Sequence, residues 1–343
     1  MFMRIRFSLA ALTAVALLAL TAVPGSAQGN DPCYELSGQA AIDACTRDIN
    51  SGRLKPDQLA IRYHNRGLEW RAAGNNERAI ADLSEAIRLD PKYATAFHAR
   101  GNAHYDRKDY DLALKDYNEA LAINPKSSDV WNGRGNVYHQ RKEFDRAIAE
   151  YNQAISLKPE DRIYYTNRGN SWSEKNDIDR AIADFNQAIR IDPKYTRALS
   201  SRALAYRKKS DHDRSIADYS TLVNLAPDNQ GYLADRCWAR AIANRELGSA
   251  LIDCDRALQL KPNNHITLDN RAFAYYRLER FDDALADYEA ALKIQPNYVY
   301  SLYGRGLVKI KKGDRSGGMA DIENAKSRAS YIQGEFESFG VKP

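Results

Sequence analysis

The sequence of 343 residues has four cysteines, a small net charge and one long apolar run, at its start. Its formal net charge is +5, basic and acidic residues alternate closely, and the most basic stretches are 207–209 and 309–312. Nucleic-acid binding needs a clustered basic face, so we expect no nucleic-acid partner. A hydrophobic content of 44% is ordinary for a folded protein.

Motifs that carry catalysis are also missing. There is no Walker loop, His-Glu-x-x-His or Cys-x-x-Cys, and Gly133-x-Gly135 has Tyr138 where a dinucleotide loop has its third glycine. His64 and His98 stand one repeat apart, and surface histidines are the better interpretation than a metal site. The sequence predicts no enzyme activity, no cofactor and no metal.

The first 27 residues have the three parts of a secretory signal peptide. Arg4 and Arg6 precede an uncharged apolar run over 7–23, and small residues follow at 24–27. The alternative is an uncleaved membrane anchor, since the run approaches a spanning length. The proline and the small residues favour cleavage after Ala27. We therefore expect an exported protein, periplasmic or secreted, without stable membrane insertion after cleavage.

Regular spacing governs the rest of the chain. Prolines end similar phrases at steps of 34 or 35 residues: Pro91, Pro125, Pro159, Pro193, Pro227, Pro262 and Pro296. Counted from Ala60 as place one, small residues recur at places eight, twenty and twenty-seven, and bulky ones at twenty-four. Places twenty, twenty-four and twenty-seven are separated by steps of four and three, so they lie on one helical face. Such a period is typical of a helical solenoid.

The phrase Tyr63…Gly67-x-x-Trp70…Ala79-x-x-x-Leu83…Pro91 resembles a tetratricopeptide repeat. The resemblance implies an all-α, right-handed superhelical solenoid of antiparallel helix pairs. The predicted organisation is a signal peptide at 1–27, a half-repeat and connector at 28–59, eight units at 60–93, 94–127, 128–161, 162–195, 196–229, 230–264, 265–298 and 299–332, and a C-terminal cap at 333–343. The sixth unit has one extra residue, and Gly317-Gly318 should weaken the second helix of the eighth.

An arginine occupies place seven of every unit, where the family usually has leucine, and an acid follows sixteen or seventeen residues later. Such places lie at one level of a helix hairpin, and a partly buried arginine needs a partner. We predict a structural ladder of Arg–carboxylate pairs rather than a site for anionic ligands. The pairs are Arg66–Asp82, Arg100–Asp116, Arg134–Glu150, Arg168–Asp184, Arg202–Asp218, Arg236–Asp253, Arg271–Asp287 and Arg305–Asp321.

The resemblance also implies that first helices line a concave groove, with places two, nine and twelve facing it. Asparagines that donate and accept hydrogen bonds would hold a peptide backbone, and apolar residues would hold an anchor. The predicted groove residues are His98, Asn102, Tyr105, Asn132, Asn136, His139, Thr166, Asn170, Ser173, Leu204, Trp238, Phe273 and Leu307. The alternative is that the asparagines are merely solvated and that the C-terminal segment covers the aromatic pair. The carboxylate-clamp subtype needs lysines at places two and five, which this sequence lacks.

Cys33, Cys45, Cys237 and Cys254 allow two disulfides in an oxidising compartment. Cys237 and Cys254 fall on opposite helices of one hairpin, where a bond or two buried thiols would fit. A Cys33–Cys45 bond would pin the N-terminal half-unit.

Together these features predict a non-catalytic interaction module or scaffold that binds a protein or peptide segment in the cell envelope. Two alternatives stay open. One is a structural assembly subunit, and the other is a regulatory subunit that binds glycan or cell-wall fragments.

Overall fold

The structure, a computed structural model, describes residues 32–343. The predicted signal peptide therefore lies outside the described residues. Nineteen α-helices follow one another along the described part: α1 (Pro32–Glu35), α2 (Gly38–Asn50), α3 (Pro56–Ala72), α4 (Asn76–Leu89), α5 (Ala94–Asp106), α6 (Tyr110–Ile123), α7 (Ser128–Gln140), α8 (Phe144–Leu157), α9 (Arg162–Glu174), α10 (Ile178–Ile191), α11 (Thr196–Lys208), α12 (His212–Leu225), α13 (Gln230–Ala243), α14 (Leu247–Leu260), α15 (His265–Arg277), α16 (Phe281–Ile294), α17 (Val299–Lys311), α18 (Arg315–Arg328) and α19 (Ile332–Ser338).

Helices α3 to α18 form eight hairpins that stack into an all-α solenoid. From α5 onward, each first helix begins at place one of a predicted unit, such as Ala94 or Ser128. Only α3 begins earlier, at Pro56, because a proline in the first turn loses no helical hydrogen bond and has a helical φ. The sequence period is thus the period of the hairpins.

A glycine against an aromatic ring sets the spacing within a hairpin. A Cβ added at Gly135 would lie 2.6 Å from Cε1 of Tyr151, and one at Gly169 would lie 2.7 Å from Cε1 of Phe185. Both rings are almost fully buried, at 1% exposure. The small residue at place eight therefore lets the ring at place twenty-four lie directly on the first helix.

Each hairpin turns through one residue in the left-handed region. The eight residues are Gly74, Lys108, Lys142, Asn176, Ser210, Asn244, Glu279 and Gly313. In the sixth unit Glu246 also has a positive φ, at 47°. The turn keeps three residues, and the extra residue lengthens α13 to 14 residues where the other first helices from α5 onward have 13. Helix α14 keeps 14 residues like the other second helices.

Short elements close both ends of the solenoid. Helices α1 and α2 are joined by the disulfide Cys33–Cys45, and α2 packs on α3 as a lone second helix. At the other end α19 packs on α17 and α18. Helix α18 forms over its full length in spite of Gly317-Gly318, because Gly318 and Gly306 let the two backbones approach closely.

Candidate binding groove

All eight predicted arginine–acid pairs are in contact. In each pair Nε and Nη2 of the arginine donate to the two carboxylate oxygens, at distances from 2.6 to 3.1 Å. The hydrogen bond to Asp218 raises the pKa of Arg202, and the same contact with Asp82 raises that of Arg66. Such fork-to-carboxylate pairs leave these arginines little freedom to bind a ligand.

A third contact of six of these eight arginines joins neighbouring units. The remaining nitrogen, Nη1, donates to a polar residue on the second helix of the preceding unit. The acceptors are Thr46, Ser84, Asn118, Asn152, Asn186 and Asp255, at 2.7 to 3.0 Å. The sequence reasoning missed these partners, although polar residues recur at place twenty-five. The ladder therefore stabilises both the hairpins and their stacking.

The first helices of units two to five line a shared polar cavity of about 310 Å³. Its walls include five of the predicted groove residues: Tyr105, Asn132, Asn136, His139 and Asn170. Asn167, which was not predicted, lines it as well. Arg197 of unit five also lines it. A second cavity of about 400 Å³ adjoins it, since His139 and Asn170 line both. The two cavities form one polar groove, which we call the open groove.

Tyrosines of the second helices fix the orientation of two groove asparagines. The hydroxyl of Tyr151 donates to Oδ1 of Asn136 over 2.8 Å, and that of Tyr117 donates to Oδ1 of Asn102 over 2.7 Å. The carbonyl ends of these amides are thereby occupied. Asn102 Nδ2 also contacts His98 Nε2 at 3.3 Å, whereas Nδ2 of Asn136 has no hydrogen bond with a described residue. Asn136 therefore offers a donor to the cavity.

Asn167, which sequence reasoning passed over, connects two units within the open groove. Its Nδ2 donates to Oδ1 of Asn132 at 2.8 Å and to Oδ1 of Asn136 at 3.2 Å. Thr166 was predicted to face the groove, and that prediction is wrong. Thr166 is fully buried, and its hydroxyl donates to the carbonyl of Arg162 one helical turn earlier. The place-six residue of this unit, rather than its place-five residue, takes part in the site.

The groove histidines are held in their neutral form. Burial lowers the pKa of His139 and of His98. Nδ1 of His139 lies 2.8 Å from the hydroxyl of Ser171, which itself contacts the carbonyl of Asn167. The open groove thus carries its positive charge on arginine and lysine rather than on histidine at neutral pH.

The second cavity contains two more of the predicted groove residues, one polar and one apolar. Ser173 and Leu204 line it together with Arg207 and Lys208. Leu204 is 41% exposed, and Lys208 Nζ lies 3.2 Å from the hydroxyl of Ser173. These residues belong to α9 and α11, so the open groove continues to the end of α11, the first helix of unit five.

The apolar part of the predicted groove is filled by the chain's own C-terminal segment. Phe273 and Leu307 are each only 1% exposed, and the prediction that they bind a partner is wrong. The ring of Phe336 lies 5.7 Å from that of Phe273, and the ring of Phe339 lies 5.4 Å from that of half-buried Trp238. We call this region of units six to eight the filled groove.

Polar contacts fasten the same segment. Arg277 donates a hydrogen bond to the carbonyl of Phe339, and its guanidinium lies 5.0 Å from the ring centre of Phe273. Tyr300 donates to a carboxylate oxygen of Glu335 over 2.7 Å. The Cys237–Cys254 disulfide joins α13 to α14 beneath this region. Apolar and polar contacts together hold residues 332–341 in place.

The described residues contain neither a grouped set of metal ligands nor a membrane-spanning helix. Between residues 32 and 343 no three His, Cys, Asp or Glu side chains are grouped to hold a metal ion. Over the same residues no helix combines the length and the apolar composition needed to cross a membrane.

Comparison with known proteins identifies the repeats. Models described as tetratricopeptide repeat match residues 98–162, 163–195, 196–229 and 238–298, and a model described as TPR repeat matches 67–106. Repeats of this family mediate protein–protein contacts and are generally not catalytic. The matches therefore cover units on both sides of the boundary between the open and the filled groove.

Curated relatives share only short stretches with this chain. A TPR repeat-containing protein of Methanocaldococcus jannaschii is 42% identical over 59 residues, which cover 17% of this chain and 10% of that protein. The small glutamine-rich tetratricopeptide repeat-containing protein 2 of Saccharomyces cerevisiae is 32% identical over 74 residues, 22% of this chain and 21% of that protein. The chain thus spans about a tenth to a fifth of the length of these relatives.

Solved structures share the fold. The structure of pilF from Pseudomonas aeruginosa superposes with a TM-score of 0.55 at 20% identity, covering 63% of this chain and 98% of that one. The C-terminal part of a TPR repeat-containing protein from Cytophaga hutchinsonii gives 0.52 at 17% identity, covering 67% and 93%. With repeat models over most of the array and this shared solenoid, the chain belongs to the tetratricopeptide repeat family.

Proposed function

We propose that the protein is an exported, non-catalytic scaffold that binds a peptide segment of a partner protein in the open groove. The observation that carries the proposal is the lining of that groove. Asn136 and Asn170 present side-chain amides to one cavity, and the carbonyl of Asn136 is already bound by Tyr151 and Asn167. The free donors match the carbonyl oxygens of an extended backbone.

Shape supports the same interpretation. The groove is preformed by first helices whose spacing the arginine ladder fixes, so a peptide would bind with little rearrangement of the protein. The apolar run over 7–23 and the small residues at 24–27 favour export, and the two disulfides would persist in an oxidising compartment such as the periplasm.

The test uses a double variant, Asn136→Asp with Asn170→Asp. Each change replaces an amide donor by a carboxylate oxygen, which repels a peptide carbonyl but keeps the size of the side chain. Peptides selected on the wild-type protein from a displayed random library should lose at least about tenfold in affinity. The matched control carries Gln153→Glu and Asn324→Asp, both exposed on second helices, and should bind as the wild type does.

Equal affinity of the double variant and the control would contradict the groove proposal. The assay also separates the two alternatives. An assembly subunit should form higher oligomers in size-exclusion chromatography and select no peptide, and a glycan-binding subunit should bind an immobilised glycan array in a manner sensitive to the same double variant.

A further inference from the structure

Two arginines of unit five stand apart from the ladder, and both line the open groove. Arg197 lies in the first turn of α11, and Arg207 lies in its last turn. We propose that these two side chains bind carboxylates of the partner peptide, so that the groove selects acidic segments. The proposal rests on the groove function above and names the chemistry of its ligand.

The first observation is the missing partner. Arg202, on the same helix, donates two hydrogen bonds to Asp218 and one to Asn186. Arg197 and Arg207 form no ion pair and no hydrogen bond with any residue of the described chain, in a solenoid where most arginines have a carboxylate or amide partner. A guanidinium has five donors and is always charged, so both side chains keep donors for an anion. Arg207 has one acidic neighbour, Asp235, whose carboxylate interacts with its charge without forming an ion pair.

The second observation concerns the residues that surround Arg197 in its cavity. Arg197 shares its cavity with Asn132, Asn136, His139 and Asn170. The oxygens of Asn132 and Asn136 already accept hydrogen bonds from Asn167. The guanidinium of Arg197 and Nδ2 of Asn136 are therefore donors left over in this cavity, and donors require an acceptor such as a carboxylate or a carbonyl.

The adjoining cavity has the same character. Arg207 and Lys208 line it, with Glu174 as the acid among its lining residues. Lys208 contacts the hydroxyl and carbonyl of Ser173, and neither of these groups is charged. Across both cavities three cations face one carboxylate, and the surplus positive charge would attract an acidic ligand.

The spacing of the two arginines suits a short extended segment. They are ten residues apart on α11, which corresponds to about 15 Å along a helix. About five residues of extended chain cover that distance. Two carboxylates separated by about four residues, or one acidic side chain and a free C-terminus, can therefore reach both forks. These positions are places two and twelve of one unit, whereas the carboxylate-clamp subtype needs lysines at places two and five.

The experiment selects peptides of about twelve residues, long enough to cross both cavities in extended form, from a displayed random library. Three proteins are compared: the wild type, Arg197→Gln with Arg207→Gln, and a control, Lys115→Gln with Arg190→Gln. The control removes two exposed cations from second helices, so all charge changes are matched.

We expect peptides selected on the wild type and on the control to be enriched in Asp and Glu over the unselected library. That enrichment should vanish on the arginine double variant, and the best acidic peptide should bind it at least about tenfold more weakly. Raising salt from about 50 mM to about 500 mM should weaken wild-type binding and affect the double variant less. Asp-to-Asn exchange and C-terminal amidation of the peptide then tell which carboxylate is bound.

Neutral selected peptides, or acidic enrichment that survives in the double variant, would overturn the proposal while leaving the groove function intact. Insensitivity to both Asp-to-Asn exchange and amidation would overturn it as well. A wild-type protein that selects no peptide above background would instead overturn the groove function itself.

Discussion

The open groove and the filled groove are built on one scaffold but differ in what lies in them. In both, arginines bind carboxylates across the hairpin, as in Arg168–Asp184 and Arg271–Asp287. Place nine is what differs. It holds Asn136, Asn170 and exposed Leu204 in the open part, and buried Phe273 in the filled part. The repeat frame therefore sets the shape of the groove, and a few places on the first helices determine its occupant.

The filled groove also shows how the array ends. Terminal repeats of a solenoid have no neighbour to cover their apolar face. Here the segment from Ile332 to Val341 covers it from within the groove, and Ile332 and Phe336 are almost fully buried. The disulfide Cys237–Cys254 adds a covalent link in the same region. The filled part thus serves stability, and the open part retains unsatisfied donors.

The most damaging single change should be Phe336→Ala. This ring contacts Phe273, Tyr303 and Phe339, so its loss empties the centre of the filled groove. We expect the free energy of unfolding to fall by about 3–5 kcal/mol in urea titration and binding of the dye ANS to rise. Tyr331→Ala, at a site 60% exposed, is the control and should cost under about 1 kcal/mol. A similar cost for both changes would contradict the comparison of the two grooves.

A ladder change should cost nearly as much. Arg168→Leu leaves the buried carboxylate of Asp184 without its partner, and burial already raises the pKa of that carboxyl. We expect a loss of about 3 kcal/mol, discounted from a fully buried pair because Arg168 is partly exposed. The double change to Arg168→Leu and Asp184→Leu removes both charges and should cost less than the single one. Equal losses in urea titration would remove the ladder as an energetic unit.

Removal of the disulfide in the filled groove should rank third. The bond closes a separation of 17 residues, for which the loss of unfolded-chain entropy contributes about 3 kcal/mol. Cys237→Ala with Cys254→Ala should lower stability by that order, and a reducing agent should lower the stability of the wild type more than that of the variant, which keeps only Cys33–Cys45. Wild-type unfolding that is unchanged by a reducing agent would argue against a stabilising role for either bond.

The scaffold could be predicted from the sequence because each of its rules is repeated. Arginine at place seven and its acid recur in all eight units, so pairing followed from spacing alone. The contact of Arg168 with Asn152 could also have been predicted, because a polar residue recurs at place twenty-five. That contact depends on how neighbouring units stack. The sequence period thus predicted the contacts within one hairpin well and the contacts between neighbouring hairpins less well.

The groove was predicted less well because the C-terminal segment that fills part of it does not belong to any repeat. Asn136 and Asn170 lie in a cavity, whereas Phe273 is covered by a segment that has no repeat of its own. The spacing of Phe336 and Phe339, which puts two rings on one face of a short helix, was the available signal. Arg197 was missed because a lone cation at one place has no counterpart in other units.

The smallest effect we predict distinguishes the two grooves by pH. Asp269 is 3% exposed, it accepts a hydrogen bond from Ser301 over 2.6 Å, and burial raises its pKa to about 7. Because the folded state favours the protonated form, the stability from this group is complete below the unfolded pKa and is lost as pH rises through about 7. Asp269→Asn should therefore be more stable than wild type at about pH 8 and nearly equal to it at about pH 4.

A matched change in the open groove gives the contrast. Asn132 occupies the same place five in unit three and is only half-buried, so Asn132→Asp adds a carboxylate that water can reach. Its stability difference from wild type should change less between about pH 4 and about pH 8 than that of Asp269→Asn, because a solvated carboxylate keeps a nearly ordinary pKa. Burial of His98 and His139 lowers their pKa, so both contribute a loss of stability at low pH that is common to wild type and Asp269→Asn and cancels in their difference. Urea titrations at both pH values measure these differences. Equal pH dependence of the two stability differences would mean that water reaches the filled groove as easily as the open one. The distinction between the two grooves would then be lost.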